Sequence, residues 1–251
     1  MEREIWTQKI RKWSCPSWPC PVCRSGILDL VKNSLTFYET TESKRKSSLR
    51  GEENEFENFE ITYSFTAWAE CKQPTCKQRF SISGIGGVEP EPSPEGGHEW
   101  EDYFLPLVCY PMPDIIKFPI KCPVKVKEEL RAAFSIFWLH PDACAGRIRV
   151  ALEYLMDHFD IPRKGNFNLQ QRLDDFAKKN STMSNQLESL KWLGNTGSHE
   201  RKVTKGELLD AFEIFEYALI ELIDNRSVDI AEKAQNLIDK HKPVKTSKNK
   251  S

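Results

Sequence analysis

No stretch of this 251-residue chain is long and apolar enough to cross a membrane, and charges run through Met1 to Lys12 where a signal peptide would need an apolar core. Charge of one sign is missing as well. The formal net charge is -1, so no global basic field calls for nucleic acid and no acidic one argues for disorder. There is no phosphate-binding P-loop, no nucleophile elbow and no HExxH zinc-protease motif, which leaves NTPase, esterase and peptidase chemistry without a basis. No internal repeat is present. Apolar residues at 39% and aromatics at 11% still suffice for a real core. The expectation is a soluble, cytoplasmic protein of one or two domains, without membrane contact.

In a reducing compartment, eight cysteines read as metal ligands and buried thiols rather than a disulfide framework. Four of them form two pairs, Cys20-x2-Cys23 and Cys71-x4-Cys76, flanking an alternating segment. Pro19, Pro21 and Gly26 around the first pair suit a tight knuckle. Two such knuckles joined by a β-hairpin supply the four thiolates of a closed tetrahedral site, so one structural Zn2+ is expected on Cys20, Cys23, Cys71 and Cys76. Cys15 is a competing ligand by proximity. Cys109, Cys122 and Cys144 stand alone and read as packing residues.

The fold class expected is α+β, an N-terminal β zinc ribbon followed by a mainly α antiparallel bundle. Residues 1–86 form the ribbon with its long β-hairpin. Ile27 to Tyr38 reads as one strand. Phe59 to Ala67 alternates apolar and polar residues and reads as its return, and Arg79 to Ile85 adds a third strand. Thr40 to Asn58 lacks an apolar period and reads as a mobile hairpin tip. Residues 87–123 read as a linker, Pro/Glu/Gly-rich to Gly97, and a proline-rich strap from Leu105. Residues 124–241 carry helical periodicity in six segments, one opened by the capping-box pattern Thr204-x2-Glu207. Residues 242–251 are a Lys-rich tail.

A second constellation is Lys191-Trp-Leu-Gly194-Asn195-Thr-Gly197-Ser198-His199. On a helix Lys191, Asn195 and His199 share one stripe, while Gly194 and Gly197 allow close approach of another backbone. Cation, amide and imidazole together can hold a phosphate and move a proton. The bland alternative is a close-packing helix end. Arg149 and Glu153, one turn apart, are either a surface ion pair or a buttress for Asn195 and His199.

These residues resemble the domain-of-unknown-function 4145 family, which belongs to the wider HEPN-like helical superfamily and is often encoded near restriction and phage-defence genes. The pieces that carry the resemblance are Pro119-Ile-Lys-Cys-Pro123, Arg147-Ile-Arg149-Val-Ala-Leu-Glu153 and Leu193-Gly-Asn-Thr-Gly-Ser-His199, within Pro106 to Ile223. Active HEPN ribonucleases pair an Arg and a following polar residue with a His, often across a dimer. Aligned on His199, the polar position is Asn195 and the Arg position falls on Gly194. Lys191 lies one turn before Asn195. The resemblance implies a non-enzymatic binding or assembly module, homodimeric through the bundle, acting on nucleic acid (RNA or DNA) or a defence-system protein partner. A metal-independent endoribonuclease using His199, Asn195 and Lys191 is the first alternative. A nucleotide-binding sensor with Arg149, Asn195 and His199 around a phosphate is the second.

Overall fold

The computed structural model describes residues 1–49, 61–93, 96–162, 168–178, 180–196 and 202–242. Among the described residues five strands form one antiparallel sheet. Strands β1 (Leu28–Leu30) and β2 (Thr36–Glu39) both pair with β3 (Thr62–Cys71), which pairs with β4 (Arg79–Pro92), which pairs with β5 (His98–Tyr110). Alternation along β3 explains the sheet's polarity. Phe65, Ala67, Ala69 and Cys71 are buried while Thr62, Ser64, Thr66 and Trp68 are exposed.

Ile27 to Tyr38 is not one strand. Asn33 adopts φ +59° and breaks it into β1 and β2, a backbone state that Asn tolerates better than most residues. Ser34 bridges the break with its side chain. Its Oγ donates to the Trp68 carbonyl and accepts from the Trp68 N–H, both at 3.0 Å.

The hairpin-tip reading needs a second correction. Thr41–Leu49 is a helix, α1. Thr40 Oγ1 accepts from Ser43 N–H at 3.2 Å, and Glu42 pairs with Arg45 and Lys46 at 3.2 and 3.8 Å. Local caps and ion pairs, not an apolar stripe, make this helix, so periodicity is silent about it. The Ser43 hydroxyl is buried and ties α1 to the sheet. It donates to Glu39 at 2.7 Å and accepts from Thr62 N–H at 3.3 Å. Residues 50–58 lie outside the described residues.

Residues 87–97 are not a linker either. Strand β4 continues to Pro92 and turns into β5. Its pairing with β3 stops at Gly87, so Pro90 and Pro92 sit where β5 is their one partner among the described residues. A bulge at Ser83/Gly84 brings the Leu105 carbonyl to 2.1 Å from where a Cβ on Gly84 would stand, so only glycine fits. The strap is realised over residues 111–123. Ile115 and Ile116 are buried, Asp114 accepts two hydrogen bonds from Arg131 at 2.8 Å, and Phe118 stacks on Phe134 at 6.0 Å.

Among the described residues six further α-helices follow: α2 (Val124–Ile136), α3 (Pro141–His158), α4 (Leu169–Ala177), α5 (Ser184–Thr196), α6 (Lys205–Ile223) and α7 (Arg226–His241). Proline opens α3, where its missing N–H costs nothing. The capping box of α6 is formed: Thr204 Oγ1 accepts from Glu207 N–H at 3.2 Å, and the Glu207 carboxylate accepts from Thr204 N–H at 2.8 Å. Helix α3 packs against α2, α4, α5 and α6, with Ile148, Leu152, Leu155 and Met156 fully buried. Helix α7 has no buried residue.

Sheet and helices share one hydrophobic core. Three tryptophans form the joint. The Trp138 ring, just past α2, lies 5.1 Å from Trp18 and 6.4 Å from Trp6. Each of the first two also spends its indole N–H inside the core: Trp138 donates to Trp6 O at 2.9 Å, and Trp18 to Ile5 O at 2.7 Å. A ring pair of this kind adds about 0.5–1.5 kcal/mol beyond its area. No described helix is long and apolar enough to cross a membrane.

Candidate metal centre and the helix contact at Asn195

The ends of the sheet position the four paired cysteines. Cys71 closes β3 opposite Leu28, and the Cys20 N–H donates to Gly26 O at 2.8 Å, curling the first knuckle back on itself. Each knuckle places the residue after its second cysteine at positive φ, Arg24 at 58° and Lys77 at 49°. The four sulfurs lie within 4.8 Å of one another. Cys20 and Cys76 are 3.8 Å apart, and Cys23 and Cys71 3.6 Å. A disulfide would need about 2.05 Å. A tetrahedral ion with bonds of about 2.3 Å to sulfur would separate its ligands by about 3.8 Å. The donor set therefore fits a metal ion. Gly26 is the steric condition, because a Cβ there would stand 2.4 Å from Cys71 Sγ.

The thiols of the cluster differ in their electrostatics. The Ser25 side chain, with the Ser25 and Gly26 backbone, holds the Cys23 thiol down at about 6, whereas burial pushes Cys71 up to about 12 and raises Cys20. Four adjacent thiolates need a cation to coexist. Cys15 is outside the quartet. Its thiol sits 3.8 Å from Leu28 O, and burial with nearby Asp29 pushes it to about 12. Cys109 and Cys144 are buried, and Cys122 partly so.

The second constellation is only partly described. Gly197, Ser198 and His199 lie outside the described residues. Asn195 sits in the last turn of α5, where Arg149 of α3 donates through Nη1 to Asn195 Oδ1. Arg149 Nε is 3.5 Å from Glu153 Oε1, so Arg149 links Glu153 to Asn195. Gly194 makes the approach possible. A Cβ on it would lie 2.5 Å from Arg149 Cβ and 3.1 Å from Ala145 O. Lys191 goes elsewhere: it is buried, its ammonium donates to Gln170 of α4, and it lies 3.8 Å from the Trp192 ring. Gly194 also borders an open cleft of about 580 Å³ with His140, Asp142 and Gly146.

Gly194→Ala is expected to cost about 1–3 kcal/mol by overpacking, lowering Tm by roughly 5 °C. An unchanged melting curve would show that α3 and α5 can separate freely.

Sequence reading missed Arg172, which is 3% exposed on α4. It donates to Glu153 O at 3.1 Å, to Ile161 O at 2.8 Å and to Asp157 at 2.5 Å, tying the end of α3 to α4. An arginine between Leu169, Leu173 and Phe176 reads as a flank of the apolar face, and nothing local signals the carbonyls it meets. Gln170 carries no signal either.

The fold and the cysteine cluster together define an α+β protein with a candidate metal centre in its sheet and a helical C-terminal region. Residues 131–240 match the family model described as "Domain of unknown function (DUF4145)", and residues 8–108 match another, "Domain of unknown function (DUF8608)". The helical segment is thus a DUF4145 domain, as the motifs around Arg149 and Asn195 imply. No curated protein and no solved structure matches the chain.

Proposed function

We propose that the chain is a non-enzymatic binding and assembly module, held by one structural zinc ion, that acts on nucleic acid or a protein partner in a prokaryotic defence or restriction-type system. The ion completes a zinc ribbon on Cys20, Cys23, Cys71 and Cys76, and the helices are a HEPN-like bundle. Four thiolates fill a tetrahedron, leaving no open position for substrate, which is the mark of a structural site. The observation that carries the non-enzymatic reading is the commitment of both nearby cations. Arg149 is paired with Glu153 and Asn195, and Lys191 is buried against Gln170. The Arg149 charge is matched by Glu153 and the Lys191 ammonium is taken up by Gln170 and the Trp192 ring, while charge stabilisation of a phosphorane is usually the largest catalytic contribution.

One observation favours a metal-independent endoribonuclease as the second reading. The side chain of Arg149 fills the space that a side chain at position 194 would take. A guanidinium from α3 thus stands beside Asn195, where the resemblance expects the missing Arg. In that reading Arg149 replaces Lys191 as the candidate cation, with Asn195 and His199 completing the set.

Incubation of the metal-loaded protein with mixed cellular RNA, without chelator and without added divalent cation, separates the two. The binding-module reading expects no cleavage by wild type, Arg149→Ala or His199→Ala. Cleavage by wild type, lost in both variants, would overturn it in favour of the ribonuclease.

A further inference from the structure

The side of the sheet turned away from the helices has an unusual surface. Register fixes its members, since directly paired residues share a face. One row is Trp68, Ser81 and Tyr110; the next is Thr36, Thr66, Ser83 and Val108; the third is Tyr38, Ser64, Ile85 and Leu105. Tyr38 and Tyr110 are 75% exposed and Trp68 is 50% exposed, with Ile85 and Val108 also exposed. The inward-facing residues of the same strands, Phe65, Ala67, Phe80, Ile82 and Cys109, are buried in the core. Nothing among the described residues covers the outer side.

No charged residue stands in the three rows. The first charges lie one register step beyond Trp68, where Glu70 faces Arg79 and the two neutralise each other at 3.2 Å. An aromatic, charge-free centre bounded by a paired polar rim is the anatomy of a protein interface core. Nucleic acid would need cations within the platform to meet its phosphates. The five apolar side chains expose roughly 600 Å² per copy. Two copies face to face would bury about 1,200 Å², the lower limit of a stable interface. A surface without charge meets its own image without repulsion, and two sheets pack face to face readily.

We propose that this outer sheet face, rather than the helical bundle, is where two copies of the chain associate. The inference is independent of whether the Asn195 region is catalytic.

The test is the molecular mass in solution at tens of micromolar, by light scattering or sedimentation. Wild type is expected to be a dimer. Trp68→Lys and Ile85→Lys, each placing a charge on the face without touching the core, are expected to weaken the dimer by at least about thirtyfold. Both should retain wild-type circular dichroism and metal content. Tyr217→Lys, an exposed position on α6, should leave the dimer intact. A monomeric wild type would overturn the proposal. So would a dimer that survives both sheet variants, or one that only Tyr217→Lys dissociates.

Discussion

Purified protein is expected to carry about one zinc ion per chain, and Cys71→Ser to lose both the ion and the fold of the N-terminal half. Apparent binding free energies of structural zinc sites run to about 10–16 kcal/mol, whereas a whole domain is stable by only about 5–15 kcal/mol. Removing one of four thiolates forfeits much of that and leaves three thiols crowded within contact distance. A fall in Tm of at least about 10 °C is expected, with loss of near-ultraviolet circular dichroism. Chelation should do the same to wild type, more readily as pH falls, because protons compete with the metal for thiolate sulfur. Elemental analysis decides the identity of the ion. Iron in the same sulfur cage would be coloured, whereas zinc, with a filled d shell, is not. Metal-free protein with an unchanged fold, or a folded Cys71→Ser variant, would refute the site.

Trp138→Ala is expected to have the second large effect. Its ring is 4% exposed, packs on Trp18 and Trp6, and sends its indole N–H to the Trp6 carbonyl. Truncating such a residue costs about 3–5 kcal/mol, and the Trp6 carbonyl loses its donor. Tm should fall by about 10 °C. Trp18 lies two residues from Cys20, so the variant should also release zinc to a chelator faster than wild type. Two separate unfolding transitions in wild type would contradict the shared core from which this expectation follows.

The cysteine cluster was legible in the sequence because a sulfur cage able to hold a metal calls for one residue type at short paired spacings. So were the alternation of β3 and the capping box at Thr204, since each is a local pattern with a local physical cause. What escaped depends on partners distant in the chain. Ser34 repairs a broken strand only because Trp68 is opposite. Pro90 and Pro92 look like linker residues, and stand in a strand because Trp100 and His98 of β5 are opposite. Arg149 meets Asn195 because Gly194 removes a side chain from the contact, and Arg172 finds carbonyls presented by the end of α3. The helix at Thr41–Leu49 escaped for the opposite reason: its causes are local, but they are caps and ion pairs that a search for apolar periodicity does not weigh.

The three tryptophans also bear on how such a chain evolves. The two family matches, residues 8–108 and 131–240, divide it as if it were two exchangeable cassettes. Trp18 comes from the first, Trp6 stands just ahead of it, and Trp138 comes from the second; all three are buried against one another. A recombination event that brought in a new partner for either half would inherit an unfilled socket or an unhoused indole. Drift in one half therefore constrains drift in the other, and the halves should travel together through descent as a co-adapted pair.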